Sequence, residues 1–183
     1  MINSSKKLIK FLILAVCCYL VWFLVYELWL KPQGTVDNYV TSQMAIMSSK
    51  ILNFIGYNSS YSITPNSSTI LLDGKHWLGI AHVCNGLVLY ALFIGFLVSF
   101  PGPIKHKLWF IPLGLLIINL VNVMRAVILS LVKLYYVHTL DFNHRYTFTI
   151  LVYGCIFLLW VWWVNKFSGI EVNKVNKSEN AAL

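Results

Sequence analysis

The chain has 183 residues, of which 58% are hydrophobic and 11% charged, with a formal net charge of +8. Soluble domains carry about a quarter charged residues, so this composition excludes an ordinary water-soluble enzyme. The basic excess reads as loop bias and attraction to lipid surfaces; with no basic stripe on a soluble fold, nucleic acid is not an expected partner.

Several apolar runs reach the roughly 20 residues that cross a bilayer as helix. The expected fold is an all-α polytopic membrane protein, a single membrane-embedded domain over 1–183. Its parts are about four transmembrane helices, an amphipathic helix on the outer surface and a short hairpin. Lys6, Lys7 and Lys10 precede the first run, 11–30. That run is too long for a signal peptide and no small-residue cleavage site follows, so an uncleaved span is expected. Pro32 and Gly34 end it.

An outer loop over 31–84 comes next. Within it, Val36, Val40, Met44, Met47, Ile51 and Phe54 recur at three- and four-residue steps, with Lys50 and several serines opposite. This predicts an amphipathic helix over 35–56, lying along the membrane surface or packed on the spans. Residues 58–68, rich in Ser and Asn with Pro65, read as loop. The pattern 69–72, Asp73-Gly74, 75–80 predicts a hairpin, since Asp-Gly favours a two-residue turn.

The second span is predicted over 85–100, stopping at Pro101-Gly102-Pro103. The third extends over 108–137 and the fourth over 146–164, where Trp160, Trp162 and Trp163 suit an interfacial belt. The polar tail, 168–183, is expected to be disordered. Lysines at 6, 7, 10, 105, 107, 166, 174 and 177 gather on one side of a four-span chain. By the positive-inside rule both termini are cytoplasmic, and the loop over 31–84 faces outward.

The four cysteines make no disulfide framework. Cys17 and Cys18 lie within the first apolar run and Cys155 within the last, as small buried hydrophobes. Cys84 is the thiol left at a water-facing entry to a span. His82 lies two residues before it, and in an extended strand the two would share a face. Asn119, Asn122 and Arg125 sit three apart in an apolar helix and share a face too. An arginine inside a span costs at least about 2.5 kcal/mol and is a functional-site candidate by default; the alternative is an arginine snorkelling to lipid phosphate. His144 opens the last span, as a base or simply as a helix cap.

These groups have chemistry available. A thiolate is the nucleophile of a cysteine enzyme, and a nearby cation favours it. A histidine can take the thiol proton and return it to a leaving amine. An arginine can hold the oxyanion of a tetrahedral intermediate. Other readings are a four-span membrane thiol oxidoreductase, which needs a reactive cysteine pair, or a non-enzymatic membrane assembly protein.

Cys84-Asn85-Gly86-Leu87 at a span entry, Asn122-Val123-Met124-Arg125 in the next span, and His144 opening the last resemble the exosortase/archaeosortase family. The likeness covers roughly 81–153, and this chain would be a short, single-domain member. It departs at Asn85, where serine is the commoner residue, and at Gly154, which stands ten residues after His144. The resemblance implies a membrane cysteine protease or transpeptidase that cleaves carboxy-terminal sorting signals through a thioester at Cys84. It implies Cys84, Arg125 and His144 as catalytic residues, with His82, Asn85 and Asn122 binding substrate or supporting. It implies no metal and no organic cofactor. Partners would be exported proteins bearing a short motif, an apolar span and a basic tail, in a bacterial inner membrane with catalysis outside the cytoplasm.

Overall fold

The computed structural model describes residues 2–64, 67–140 and 146–167, with side chains from Leu8 onward except those of Val83 and Thr139. His144 and the tail, 168–183, lie outside them. Helix α1 (Ile2–Val25) continues through a π-helical turn, Tyr26–Leu30, and a last turn, Lys31–Gln33, that ends at left-handed Gly34. Then come α2 (Thr35–Phe54), strands β1 (Ser59–Thr64), β2 (Ser67–Leu72) and β3 (Lys75–Ile80), α3 (Leu87–Ser99), α4 (Ile104–Tyr135) and α5 (Phe148–Phe167).

Among the described residues, three helical segments are long and apolar enough to cross a membrane: Leu8–Gln33, Ile104–Tyr135 and Phe148–Phe167. The predicted second span is the shorter apolar helix α3. Together these make a mostly helical, multi-pass membrane protein. On α4, Leu116, Leu120, Met124 and Ile128 form an exposed stripe at four-residue steps. Ile118, Asn122, Ala126 and Leu129 face inward. Such a division leaves one helix side for lipid and the other for protein. The apolar stretch of α1 contributes no buried residue and is apolar all round, as suits a lipid-facing helix. It touches α3 through Phe11, which meets the Phe96 and Phe100 rings edge-on at 5.8 and 5.3 Å.

The all-α expectation is corrected by a three-stranded antiparallel sheet of order β1-β2-β3. The hairpin read at Asp73-Gly74 is there, joining β2 to β3. Both turn residues have positive φ, 49° and 75°, as a type I′ turn requires. Strand β1 falls where 58–68 reads as loop. Its apolar residues, Tyr61 and Ile63, are exposed, while Ser59 is buried, so pairing with β2 defines this strand rather than inward hydrophobic alternation.

Helix α2 is present, but the side it turns inward is rotated from the one its apolar residues predict and shares Met44 and part of Ile51 with it. Asp37, Thr41, Met44, Ala45, Ser48, Ser49 and Leu52 are buried, while Met47 is 40% and Phe54 90% exposed. Small hydroxyl side chains let backbones approach closely and bond across the contact. Ser49 Oγ donates to the Ser60 carbonyl at 2.9 Å. Asn53 Nδ2 donates to the Ser59 carbonyl and Asn53 Oδ1 accepts from Ser59 N, each at 2.7 Å. The helix is thus a floor for the sheet and packs on α4 through Met44, Ala45, Val123, Ala126 and Val127.

A second core cluster joins α3, α4 and α5 around Phe93, Phe110 and Trp163. Trp163 is fully buried and Trp160 stacks on Phe96 at 4.5 Å, so two of the three tryptophans read as a belt turn inward. Gly114 of α4 is required here: a Cβ would sit 2.1 Å from the Phe93 ring. Cys17 is exposed rather than buried, and Cys18 accepts from Ser99 Oγ at 3.7 Å.

Candidate active site

Strand β3 ends at Ile80, and Ala81 is the last extended residue. The chain then tightens into a 3-10 turn, His82–Cys84, closed by Cys84 N donating to the Ala81 carbonyl at 2.9 Å. Three residues complete such a turn, so positions two apart point different ways. The expected sharing of one strand face by His82 and Cys84 therefore fails. His82 Nε2 is buried and has no hydrogen-bond partner among the described residues.

The following residues explain the Cys-Asn-Gly sequence locally. Asn85 Oδ1 accepts from Leu87 N at 2.9 Å, satisfying one of the free amides that open α3. Gly86 has φ of 84°, a left-handed conformation that costs glycine least. It also lies against Asn122, whose Nδ2 would be 2.3 Å from any Cβ added there. A side chain at 86 would push α3 and α4 apart at the level of the thiol.

Helix α4 brings Arg125 to the same turn. Its Nη2 donates to Cys84 Sγ at 3.6 Å, across 41 residues of sequence. Asn122, one turn earlier, is 0% exposed, and neither its amide nitrogen nor its oxygen has a partner among the described residues. Asn119 bonds elsewhere, accepting from Tyr90 OH at 3.0 Å and donating to Met47 Sδ at 3.8 Å. A cleft of about 140 Å³ opens above Cys84, with Leu78 to Ala81 on one side and Asn122, Arg125 and Leu129 on the other. Of the six residues the sequence singles out, Cys84, Asn85, Asn122 and Arg125 meet here. His82 lies on the same turn, and His144 is outside the described residues.

Asp37 is a residue that sequence reasoning missed. Only 1% exposed, its Oδ1 accepts from Asn85 Nδ2 at 2.6 Å and its Oδ2 from Tyr26 OH at 3.3 Å. It thereby ties α2, the π-helical end of the first helix and the thiol turn together. Hydrogen bonds to an ionised acceptor are about twice as strong as neutral ones. Its signal was available: it is one of only six acidic residues in the chain, set one helical turn before Thr41 and two before Met44, a residue that the apolar pattern turns inward.

No group of three or more metal-ligating side chains occurs among the described residues.

Comparison with known proteins gives one likeness. The chain is 25% identical over 147 residues to a protein of Methanocaldococcus jannaschii named "Probable archaeosortase D", covering 79% of this chain and 84% of that one. No protein-family profile matches the chain, and no solved structure does.

Proposed function

We propose that the protein is a membrane-embedded cysteine peptidase or transpeptidase of the exosortase/archaeosortase kind. The observation that carries this reading is the bond from Arg125 Nη2 to Cys84 Sγ at 3.6 Å in a cleft above the thiol. The similarity to the archaeal protein supports it independently.

In this mechanism the Cys84 sulfur attacks the scissile carbonyl of a peptide bond beside the substrate's own membrane anchor. His144 takes the thiol proton as the bond forms and returns it to the departing amine. Arg125 neighbours the charge that develops on the sulfur as the proton leaves and then meets the carbonyl oxygen as it becomes an oxyanion. The product is a thioester on Cys84 and a released carboxy-terminal anchor segment. An amine, a hydroxyl or water then attacks the thioester and regenerates the thiol. Asp37 is a positioning residue: through Asn85 it holds the turn on which Cys84 sits.

The substrates would be exported proteins with a short carboxy-terminal motif, an apolar span and a basic tail. Topology follows the basic residues: four spans with α3 as the second, both termini in the cytoplasm, and the sheet and Cys84 outside, in a bacterial cell membrane. Cys84→Ala abolishes processing of such a substrate, read as the ratio of processed to unprocessed protein at matched expression. Cys17→Ala, Cys18→Ala and Cys155→Ala leave that ratio intact. Processing retained by Cys84→Ala removes the proposal.

A further inference from the structure

The cleft above Cys84 has an unusual wall. Four consecutive residues, Leu78 to Ala81, line it. Successive strand residues point to opposite faces, so four in a row can border one cleft only along the edge of the strand. Strand β3 is an outer strand, paired on one side with β2. Its side chains Leu78 and Ile80 pack on the α4 cluster, and the hydrogen bonds to α4 among the described residues are at Trp77. Lys133 Nζ donates to the Trp77 carbonyl, and Trp77 Nε1 donates to the Ser130 carbonyl at 3.0 Å. The register between β2 and β3 shifts at this point, leaving Trp77 as an extra residue between Leu78 and His76. Bulges of this kind re-aim a strand and terminate pairing beside functional sites. Beyond Trp77 the hydrogen bonds to α4 stop among the described residues, and the backbone of Leu78 to Ala81 borders the cleft that α4 closes on its far side.

Opposite that edge stands the Asn122 amide, fully buried and without a partner on either polar atom among the described residues. Burying such a group unsatisfied is costly, and each case calls for an explanation. A carboxamide offers donors and an acceptor on one rigid plane, the complement of a peptide group's carbonyl and amide. Around it the walls are mainly apolar, with Met44, Ile80 and Leu129, and Arg125 is the charged residue at the thiol end. A Cβ on Gly79 would meet nothing within 4 Å, which leaves room for a side chain from a neighbouring strand. The last extended residue, Ala81, leads in three steps to Cys84.

We infer that the substrate segment beside the scissile bond binds as a short added strand on the free edge of β3, with the Asn122 amide bonding one of its peptide groups. This rests on Cys84 being the nucleophile and names the ligand chemistry at that site: an extended, uncharged peptide backbone with small or apolar side chains. Strand addition draws affinity from main-chain bonds and selectivity from alternate side chains. Its length is limited to what Leu78 to Ala81 can pair, because the Trp77–Lys133 contact closes the far end. The added strand points its reacting carbonyl at the 3-10 turn that carries the thiol.

The test uses the full chain in detergent and acetyl-Ala-Ala-Ala chloromethyl ketone as the probe. The Cys84 sulfur displaces chloride to form a thioether, the thiol proton passing to solvent, and peptide mapping by mass spectrometry locates the adduct. Three further reagents carry a methyl group on one backbone nitrogen each, which deletes a donor and leaves the side chains alone. At least one methylated reagent reacts with Cys84 more slowly by about tenfold, the ratio one lost buried hydrogen bond carries. In Asn122→Ala the parent and that methylated reagent react at closely similar rates. If all methylated reagents match the parent on the unaltered chain, strand addition is overturned, and this series needs no variant to fold. If Asn122→Ala keeps the full discrimination, the role of Asn122 is overturned. Failure of both iodoacetamide and the peptide reagent to alkylate Cys84, while both alkylate the urea-unfolded chain, overturns the nucleophile reading and the added strand with it.

Discussion

Helix α4 passes through two cores of opposite character. Toward its start, Phe110 and Ile118 join Phe93, Leu97, Ile156 and Trp163 in a cluster of interlocked aromatic and aliphatic side chains. Toward its end, Val123, Ala126 and Val127 join Met44, Ala45, Leu52, Ile70 and Ile80. Around this second cluster the chain buries Asp37, Ser48, Ser49, Asn85 and Asn122. Ring contacts such as Phe110 to Trp163 at 5.2 Å tie the three helices of the first cluster to one another. The second cluster is built of smaller residues that admit polar groups, some bonded and some not. Both ends leave buried polar atoms without a partner among the described residues, the Trp160 and Trp163 indole nitrogens in the first and the Asn122 amide in the second, but the polar side chains gather at the second.

This division can be broken from the polar end first. His144→Ala stops turnover while the protein remains membrane-inserted, and His82→Ala only weakens it, both read as the processed fraction of substrate. The reverse outcome makes the local pair His82 and Cys84 the working one. Arg125→Ala lowers turnover by at least about a hundredfold, the scale of removing one oxyanion donor, with the unfolding midpoint in detergent little changed. A large drop in that midpoint would instead make Arg125 a structural element of the polar core.

A finer cut separates position from charge. Asp37→Asn weakens the tie to Asn85 and lowers turnover by roughly ten- to a hundredfold, as losing a charge-assisted buried bond would. Combining it with Asn85→Asp lets residue 37 donate and residue 85 accept, and recovers roughly a tenfold part of that loss. A double variant no better than either single one refutes the positioning role. At the aromatic end, Gly114→Val drives a side chain into Phe93 and costs about 1–3 kcal/mol of stability. Turnover per folded molecule stays unaltered. Equal loss of both would mean the two ends are not separable.

Much of the helical framework was legible because a bilayer-length apolar run has few other interpretations. The hairpin was legible because Asp73-Gly74 needs two positive φ angles that few residue pairs accept. Strand β1 and the buried side of α2 were not, since both are specified by hydroxyl and amide bonds between them, at Ser49, Asn53 and Ser59. Hydrophobic periodicity carries no trace of such bonds. Within the site, Cys84 and Arg125 stood out as reactive or costly groups in apolar runs, and their meeting follows from topology. Asp37 did not stand out because a lone acid in an amphipathic helix looks like a solvated one. Its burial depends on Asn85 and Tyr26, which lie 48 and 11 residues away.

The 13 residues of α3 have a consequence for the surrounding lipid. As a helix they rise about 20 Å at 1.5 Å per residue, while a bilayer's hydrocarbon core is about 30 Å thick. The bilayer answers such a hydrophobic mismatch by thinning beside the short segment. In the four-span arrangement that dimple lies against the entry to α3, so headgroups and water dip toward Cys84 there. Under the proposed function, a substrate anchored by its own span would then find its cleavage point at the depth of the thiol without being lifted from the membrane.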